Sequence, residues 1–227
     1  MARWMLKQYR CFYNAMQIID LSHTIEPAMP LYPGTSLPLF TPIASIADDG
    51  FAEQLVTISS HTGTHVDLPA HLFLQGTTVG EMDVAQFVGQ AMVLDVRGVA
   101  GKEIGLELLL PYAALVDECQ FLLLCTGWSS FWGDAAYFSR YPCLSLEAAK
   151  WLTTMECYGI GVDAPSVDPV DAHELPIHTA LLGSGMVIVE NLTDLDMLVS
   201  KRFLFSALPL KLQKGEASPV RAVAMVL

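Results

Sequence analysis

Gln120-Phe121-Leu122-Leu123-Leu124-Cys125, running on into Thr126-Gly127-Trp128, carries no polar side chain from Phe121 to Cys125. A short run without polar alternation reads as a strand buried on both faces, the kind found in parallel sheets covered by helices. The flanking chain supports that setting. Residues 91–96, 158–162 and 186–189 are further apolar runs of strand length, and residues 203–212 and 220–227 complete the β content. Between them, residues 81–88 read as a short helix, 106–117 as a helix interrupted by Pro111, and 146–156 as a helix capped by Ser145. Mixed strands and helices with few tight hairpins give an α/β class. Pro27, Pro30, Pro33 and Pro38 make residues 26–38 a rigid, extended loop able to cover a pocket.

The chemistry concentrates in His61-Thr62-Gly63-Thr64-His65-Val66-Asp67-Leu68-Pro69-Ala70-His71. Three imidazoles and a carboxylate fall within eleven residues of a chain that has six histidines. Histidine is the side chain best suited to metal ligation and to proton transfer near neutral pH. Gly63, Pro69 and the β-branched Thr62, Thr64 and Val66 argue against a helix. Residues 53–60 alternate as a strand, so the histidines are expected where that strand runs out into a loop. In extended chain His65 and Asp67 point the same way, because side chains alternate. Gly63 lets the chain turn so that His61 meets them, and His71 follows just past Pro69. Two imidazoles and a carboxylate suit Zn²⁺, Mn²⁺ or Fe²⁺, and three protein ligands leave an open position for water, the catalytic rather than the structural pattern.

A second constellation lies downstream. His178 precedes Met186-Val187-Ile188-Val189-Glu190-Asn191-Leu192, a buried strand closed by a carboxylate. That glutamate is costly to bury unless it is paired or bound to metal. Gly183-Ser184-Gly185 is not a dinucleotide loop, because these glycines introduce a strand instead of following one and no third glycine is present.

The block from His61 to His71 resembles the signature of the cyclase-like metal-dependent hydrolases, a family that includes bacterial kynurenine formamidase and isatin hydrolase. Ile19-Asp20-Leu21-Ser22-His23, Tyr32-Pro33-Gly34, Gly161-Val162-Asp163-Ala164-Pro165-Ser166-Val167-Asp168 and the span from His178 to Glu190 are similar to the family as well, so the likeness runs from about Ile18 to Leu198. The resemblance implies a layered β/β/α fold of the swivelling type, in one domain over residues 18–227. It implies His61, His65 and Asp67 as ligands of one metal, with His178 and Glu190 completing a second position and Asp67 and Glu190 shared. It implies His71 as general base and acid. The implied reaction is attack by metal-activated water on the carbonyl of a small aryl formamide, an isatin-like lactam or a related cyclic amide, with one or two zinc or manganese ions as cofactor. Tyr32, Phe73 and Trp128 are candidates for an aromatic pocket wall. Kynurenine formamidases carry tryptophan at the place of Tyr32 and an acidic residue at that of Thr35, both in the substrate pocket. These departures point away from N-formylkynurenine without touching the metal chemistry.

Composition sets the remaining bounds. At 227 residues one domain with a substantial core is expected. Hydrophobic residues make up 52% and charged residues 16%, which calls for a large core or for surface buried between subunits in a homodimer or homotetramer. A net charge of −12 argues against nucleic acid, whose phosphates demand a basic face. Cys11, Cys119, Cys125, Cys143 and Cys157 are scattered without a CxxC pair, which suggests reduced thiols in the cytoplasm. None lies near the histidine block, so no cysteine nucleophile is expected. Residues 1–17 hold Arg3, Lys7 and Arg10 without the apolar stretch of a signal peptide and read as an extension before a later start at Met16. No apolar run approaches the ~20 residues of a membrane span. Two other functions fit the same ligands: a lyase or cyclase that stabilises an enolate, and a non-catalytic metal-binding module. The latter has no need of an unligated His71, and closed structural sites prefer cysteine.

Overall fold

The computed structural model describes residues 16–99 and 103–226. All but the last two residues of the extension expected over 1–17 lie outside the described residues, as do Cys11 and Leu227. The strands are β1 (Gln17–Asp20), β2 (Leu39–Ala44), β3 (Glu53–Thr57), β4 (His65–Asp67), β5 (Val88–Asp95), β6 (Glu103–Ile104) and β7 (Phe121–Cys125), followed by β8 (Cys143–Leu144), β9 (Gly159–Val162), β10 (Val187–Glu190), β11 (Phe203–Ser206), β12 (Ala217–Pro219) and β13 (Val223–Val226). The helices are α1 (Ile46–Asp49), α2 (Leu106–Leu109), α3 (Ala113–Asp117), α4 (Leu146–Leu152) and α5 (Pro176–Gly183).

Nine strands form one mixed sheet in the order β1-β13-β11-β5-β7-β9-β10-β4-β12. Its centre, β5-β7-β9-β10, is parallel, and the flanks are antiparallel. The parallel centre explains the unbroken apolar run of β7. Leu122 and Leu124 enter a core shared with α2, α3, α4 and α5, while Phe121, Leu123 and Cys125 enter a second core on the other face. The second core gathers Ile19 and Ala224 from one end of the strand order and Val66 from the other. The sheet therefore curls around it, and a bridge between Ser22 and Leu192 ties β1's end to the chain beyond β10. Each fully buried leucine or phenylalanine contributes roughly 1.5–3 kcal/mol to holding this arrangement. Curled sheet and outer helices give the layered α/β fold expected.

Several elements differ from the sequence reading. Residues 81–88 hold a short 3-10 turn, Val84–Phe87, capped by Asp83. The helix over 106–117 is interrupted at Pro111 as expected, by a 3-10 turn over Leu110–Tyr112, since proline cannot donate to the helix ladder. The strand expected over 203–212 stops at Ser206, and the following leucines face solvent. The strand expected over 53–60 forms over Glu53–Thr57 and stops there, and β3 pairs only with β2, in a hairpin arm outside the main sheet. The histidine block is not simply a loop: His65–Asp67 is itself a buried strand between β10 and β12. The helix that carries His178, α5, had no counterpart in the reading.

Candidate metal centre and active-site cavity

Strand β4 sets the first half of the site. Val66 points into the core inside the curl, so His65 and Asp67 point out of the opposite face, toward α5. The register places Glu190 opposite His65 and Ile188 opposite Asp67. Gly63, at φ 64°, makes the turn that brings His61 back to the strand. The result is a compact cluster. His61 Nδ1 lies 2.8 Å from Asp67 Oδ1 and His65 Nε2 3.4 Å from the same oxygen. His178 Nε2 lies 3.5 Å from Asp67 Oδ2 and 3.3 Å from Glu190 Oε1. Two donor triads result, His61-His65-Asp67 and Asp67-His178-Glu190, with Asp67 common to both.

The ring orientations are held from behind. His65 Nδ1 donates to the Gly63 carbonyl at 2.8 Å, which leaves Nε2 facing the carboxylates. His178 Nδ1 meets Asp168 Oδ2 at 2.7 Å, with the same consequence. Asp168 also accepts from the backbone N–H groups of Ile177 and His178, so one buried carboxylate caps the first turn of α5 and aims its histidine. Glu190 Oε1 accepts from Val167 N at 3.0 Å. Asn191, in a left-handed conformation at φ 56°, donates to the Gly63 carbonyl and accepts from Tyr137, tying the histidine turn to the end of β10.

Asp67 decides what this arrangement suits. Both its oxygens are buried without an aligned hydrogen bond, although three imidazoles surround it; the 2.8 Å approach of His61 is close but misdirected. Burial opposes its charge, yet His65, His178 and His61 together hold its pKa well below the usual carboxylate range. Burial likewise opposes a charged His178, but Asp168, Asp67 and Glu190 outweigh it and hold its pKa well above the ordinary value. A pocket that keeps Asp67 ionised and draws positive charge to the buried His178 ring is matched to a divalent cation, and the mixed nitrogen/oxygen set fits one.

His71 closes a 3-10 turn, Pro69–His71, and lines the same cavity outside both triads. Its ring lies 4.4 Å from that of His61. Burial, with positive His61 and His178 nearby, lowers its pKa. The cavity, of about 500 Å³, is walled by Met29, Tyr32, Thr35, Trp132, Phe138 and Leu175 around the titratable residues.

Of the expected aromatic wall, Tyr32 is present and two members are not. Gly127, at φ 75°, turns the chain inward after β7, so Trp128 is buried and its Nε1 donates to the Tyr137 carbonyl. Trp132, four residues on, reaches the cavity instead, stacked on His23 at 3.8 Å. Burial lowers the His23 pKa to about 4, so that imidazole is neutral at pH 7. Phe73 packs against the helix-side core, facing Gly183 of α5, away from the cavity. Asp168, Asn191, Trp132 and Phe138 were not singled out by sequence reasoning. Asp168 stood within a quoted family segment, but no local spacing connects it to His178.

Comparison with known proteins places this geometry. Residues 19–169 match the Cyclase family ("Putative cyclase"). The chain belongs to that family. Kynurenine formamidase of Erythrobacter litoralis is 34% identical over 209 residues, covering 91% of this chain and 93% of that one. The kynurenine formamidase of Salinibacter ruber is also 34% identical, over 212 residues and 97% of its length. Among solved structures, isatin hydrolase A from Labrenzia aggregata, bound to benzyl benzoate, superposes with a TM-score of 0.86 at 27% identity and covers 98% of this chain and 99% of that chain. Cyclase-family relatives and structural neighbours thus share the chain over nearly its full length.

Proposed function

We propose that the chain hydrolyses a carbon–nitrogen bond of a small aryl formamide, lactam or related cyclic amide, as an amidohydrolase with a divalent-metal centre. The observation that carries this reading is Asp67, a buried, ionised carboxylate without aligned partners, set between two donor triads beside a histidine that belongs to neither. The relatives named kynurenine formamidase and isatin hydrolase support the bond type, a formamide in one and a cyclic amide in the other.

His61, His65 and Asp67 would hold one ion and Asp67, His178 and Glu190 a second, zinc or manganese by the donor set. Ions bound there supply Lewis acidity, which acidifies water and polarises a carbonyl. Asp168 holds His178 in the tautomer that presents Nε2. His71, kept neutral by burial, takes a proton from the attacking water and returns it to the leaving nitrogen. Tyr32, Trp132 and Phe138 offer ring faces to an aryl group, and Thr35 adds no charge to that wall. The domain is assigned to residues 18–227. A homodimer or homotetramer is supported by the 52% hydrophobic composition, and a cytoplasmic setting by the free, buried thiols of Cys119, Cys125, Cys143 and Cys157.

The test is a hydrolysis panel of formamides, lactams and esters with and without chelator. Chelation is expected to abolish turnover, and added zinc or manganese to restore it. With Tyr32 and Thr35 in the wall, kcat/KM for isatin or simple lactams should exceed that for N-formylkynurenine. A clear preference for N-formylkynurenine refutes the substrate assignment, and full activity in metal-free protein refutes the mechanism.

A further inference from the structure

Trp132 lines the active-site cavity, and the ring stacked on it, His23, does not reach that cavity. The two rings lie face to face, with centroids 3.8 Å apart and planes 3° from parallel. They are held in different ways. His23 is tied to the frame of the donor cluster: its backbone N–H donates to Thr64 Oγ1 at 3.0 Å, and that hydroxyl donates to the Asn191 carbonyl at 2.6 Å. Thr64 precedes His65 and Asn191 follows Glu190 in the chain. The bridge between Ser22 and Leu192 and the bond from Thr193 N to the Leu21 carbonyl, 3.0 Å, pin the same stretch beyond β1.

Trp132 has no such anchorage. It ends the 3-10 turn Trp128–Phe131 and is followed by Gly133 at φ 89°. Its indole is held by rings, the face of His23 and an edge-on approach from Tyr137 at 5.2 Å. The imidazole offers that face and little else. Burial lowers its pKa to about 4, and its buried Nε2 has no hydrogen-bond partner. An unpartnered buried nitrogen costs stability and calls for an explanation beyond packing. A flat, uncharged plate against the indole supplies one, because stacked rings fix each other's plane as well as their separation.

We propose that His23 is a positioning residue for aryl binding: its ring sets the plane of Trp132, and Trp132 receives the aromatic ring of the substrate. The link from His23 through Thr64 to Asn191 registers that plane to the neighbours of His65 and Glu190. An aryl group lying on the indole is thereby oriented relative to the donor cluster. The assignment rests on the proposed reading of the cavity as an aryl-amide site, and it adds that ring recognition depends on a residue outside the cavity.

The test is a double-mutant cycle on the full chain supplied with zinc or manganese, read by calorimetric titration with anthranilate as the aryl probe. His23→Leu, which fills the space without a flat face, should raise the Kd about three- to tenfold. The KM for isatin should rise by a similar factor, with kcat, metal content and the KM for succinimide, a cyclic imide without an aryl ring, unchanged. His23→Phe, which keeps a flat ring, should bind anthranilate as the unaltered chain does. Trp132→Ala should raise the Kd by at least as much as His23→Leu, and adding His23→Leu to it should change nothing further. An unaltered chain that does not bind anthranilate overturns the proposal. So does a Trp132→Ala chain with full affinity, a His23→Leu effect that survives undiminished in the Trp132→Ala background, or a folded His23→Phe chain as weak as His23→Leu. A rise in KM for succinimide equal to that for isatin overturns it as well. If neither substrate is turned over, the hydrolase reading falls while the calorimetry still decides His23.

Discussion

His71 and His65 both face the cavity, but their surroundings differ, and with them the roles proposed for each. His65 is buried, its Nδ1 is committed to the Gly63 carbonyl, and its Nε2 sits among carboxylates. His71 is half-buried and belongs to neither donor triad. His71→Ala is therefore expected to keep its metal and its fold while kcat falls by about 10²–10⁴, the usual worth of a positioned acid–base group. His65→Ala should lose metal and regain part of its activity in excess metal. Metal content and kcat for both variants decide the matter; if His71→Ala sheds metal as readily, His71 is a ligand. Asp168 acts one step further back. Asp168→Asn keeps the size of the side chain but removes the charge that holds His178 Nδ1–H, and metal affinity should fall roughly 10–100-fold. An unchanged affinity in a competition titration would make Asp168 merely a helix cap. Residues of the first kind are visible in the letters, because His65-x-Asp67 follows the two-residue period of a strand. Asp168 is not, because its partnership with His178 depends on how α5 is laid against the loop before it.

At the scale of elements, the legible ones bury long apolar runs and the hidden ones are short or polar. β7 and α4 stand out through an uninterrupted apolar stretch and a serine cap. β4 has three residues, two of them metal-type ligands, so no β pattern survives in it. α5 spans eight residues with Ile177, His178, Leu181 and Leu182 all buried, too short and too apolar to show a stripe. Close packing between strands explains a further sequence choice. A Cβ on Gly159 would strike the Val187 carbonyl oxygen and come within 2.6 Å of Val187 Cγ2. Since backbone cannot swing aside, β10 must move, and Glu190 with it. Gly159→Ala should cost about 1–3 kcal/mol in urea unfolding. A loss within measurement error would mean that β9 and β10 have slack the packing does not suggest.

For the whole molecule, strand order is the part that the sequence does not display. β1 and β13 come from opposite ends of the described chain and pair with each other, and β4 is placed between β10 and β12. Pairings so distant leave no local trace, whereas the class of the fold does, through apolar runs and caps. The same long-range closure makes the proposed metal site a structural joint. Its donors come from the His61 turn, β4, α5 and the end of β10, four parts of the chain separated by up to 129 positions in the sequence. Unfolding scatters them, so a bound ion stabilises only the folded state. At a hundredfold excess over Kd the gain is about 2.7 kcal/mol, which in a chain of this size raises the melting temperature by roughly 5–11 °C. The comparison needs chelator-stripped and metal-loaded protein at one protein concentration, because any association between chains would move the melting point too. In His178→Ala, which lacks one donor of the second triad, the metal-induced rise should shrink. Equal melting temperatures for stripped and loaded protein would mean that Asp67 and its surrounding imidazoles hold no ion.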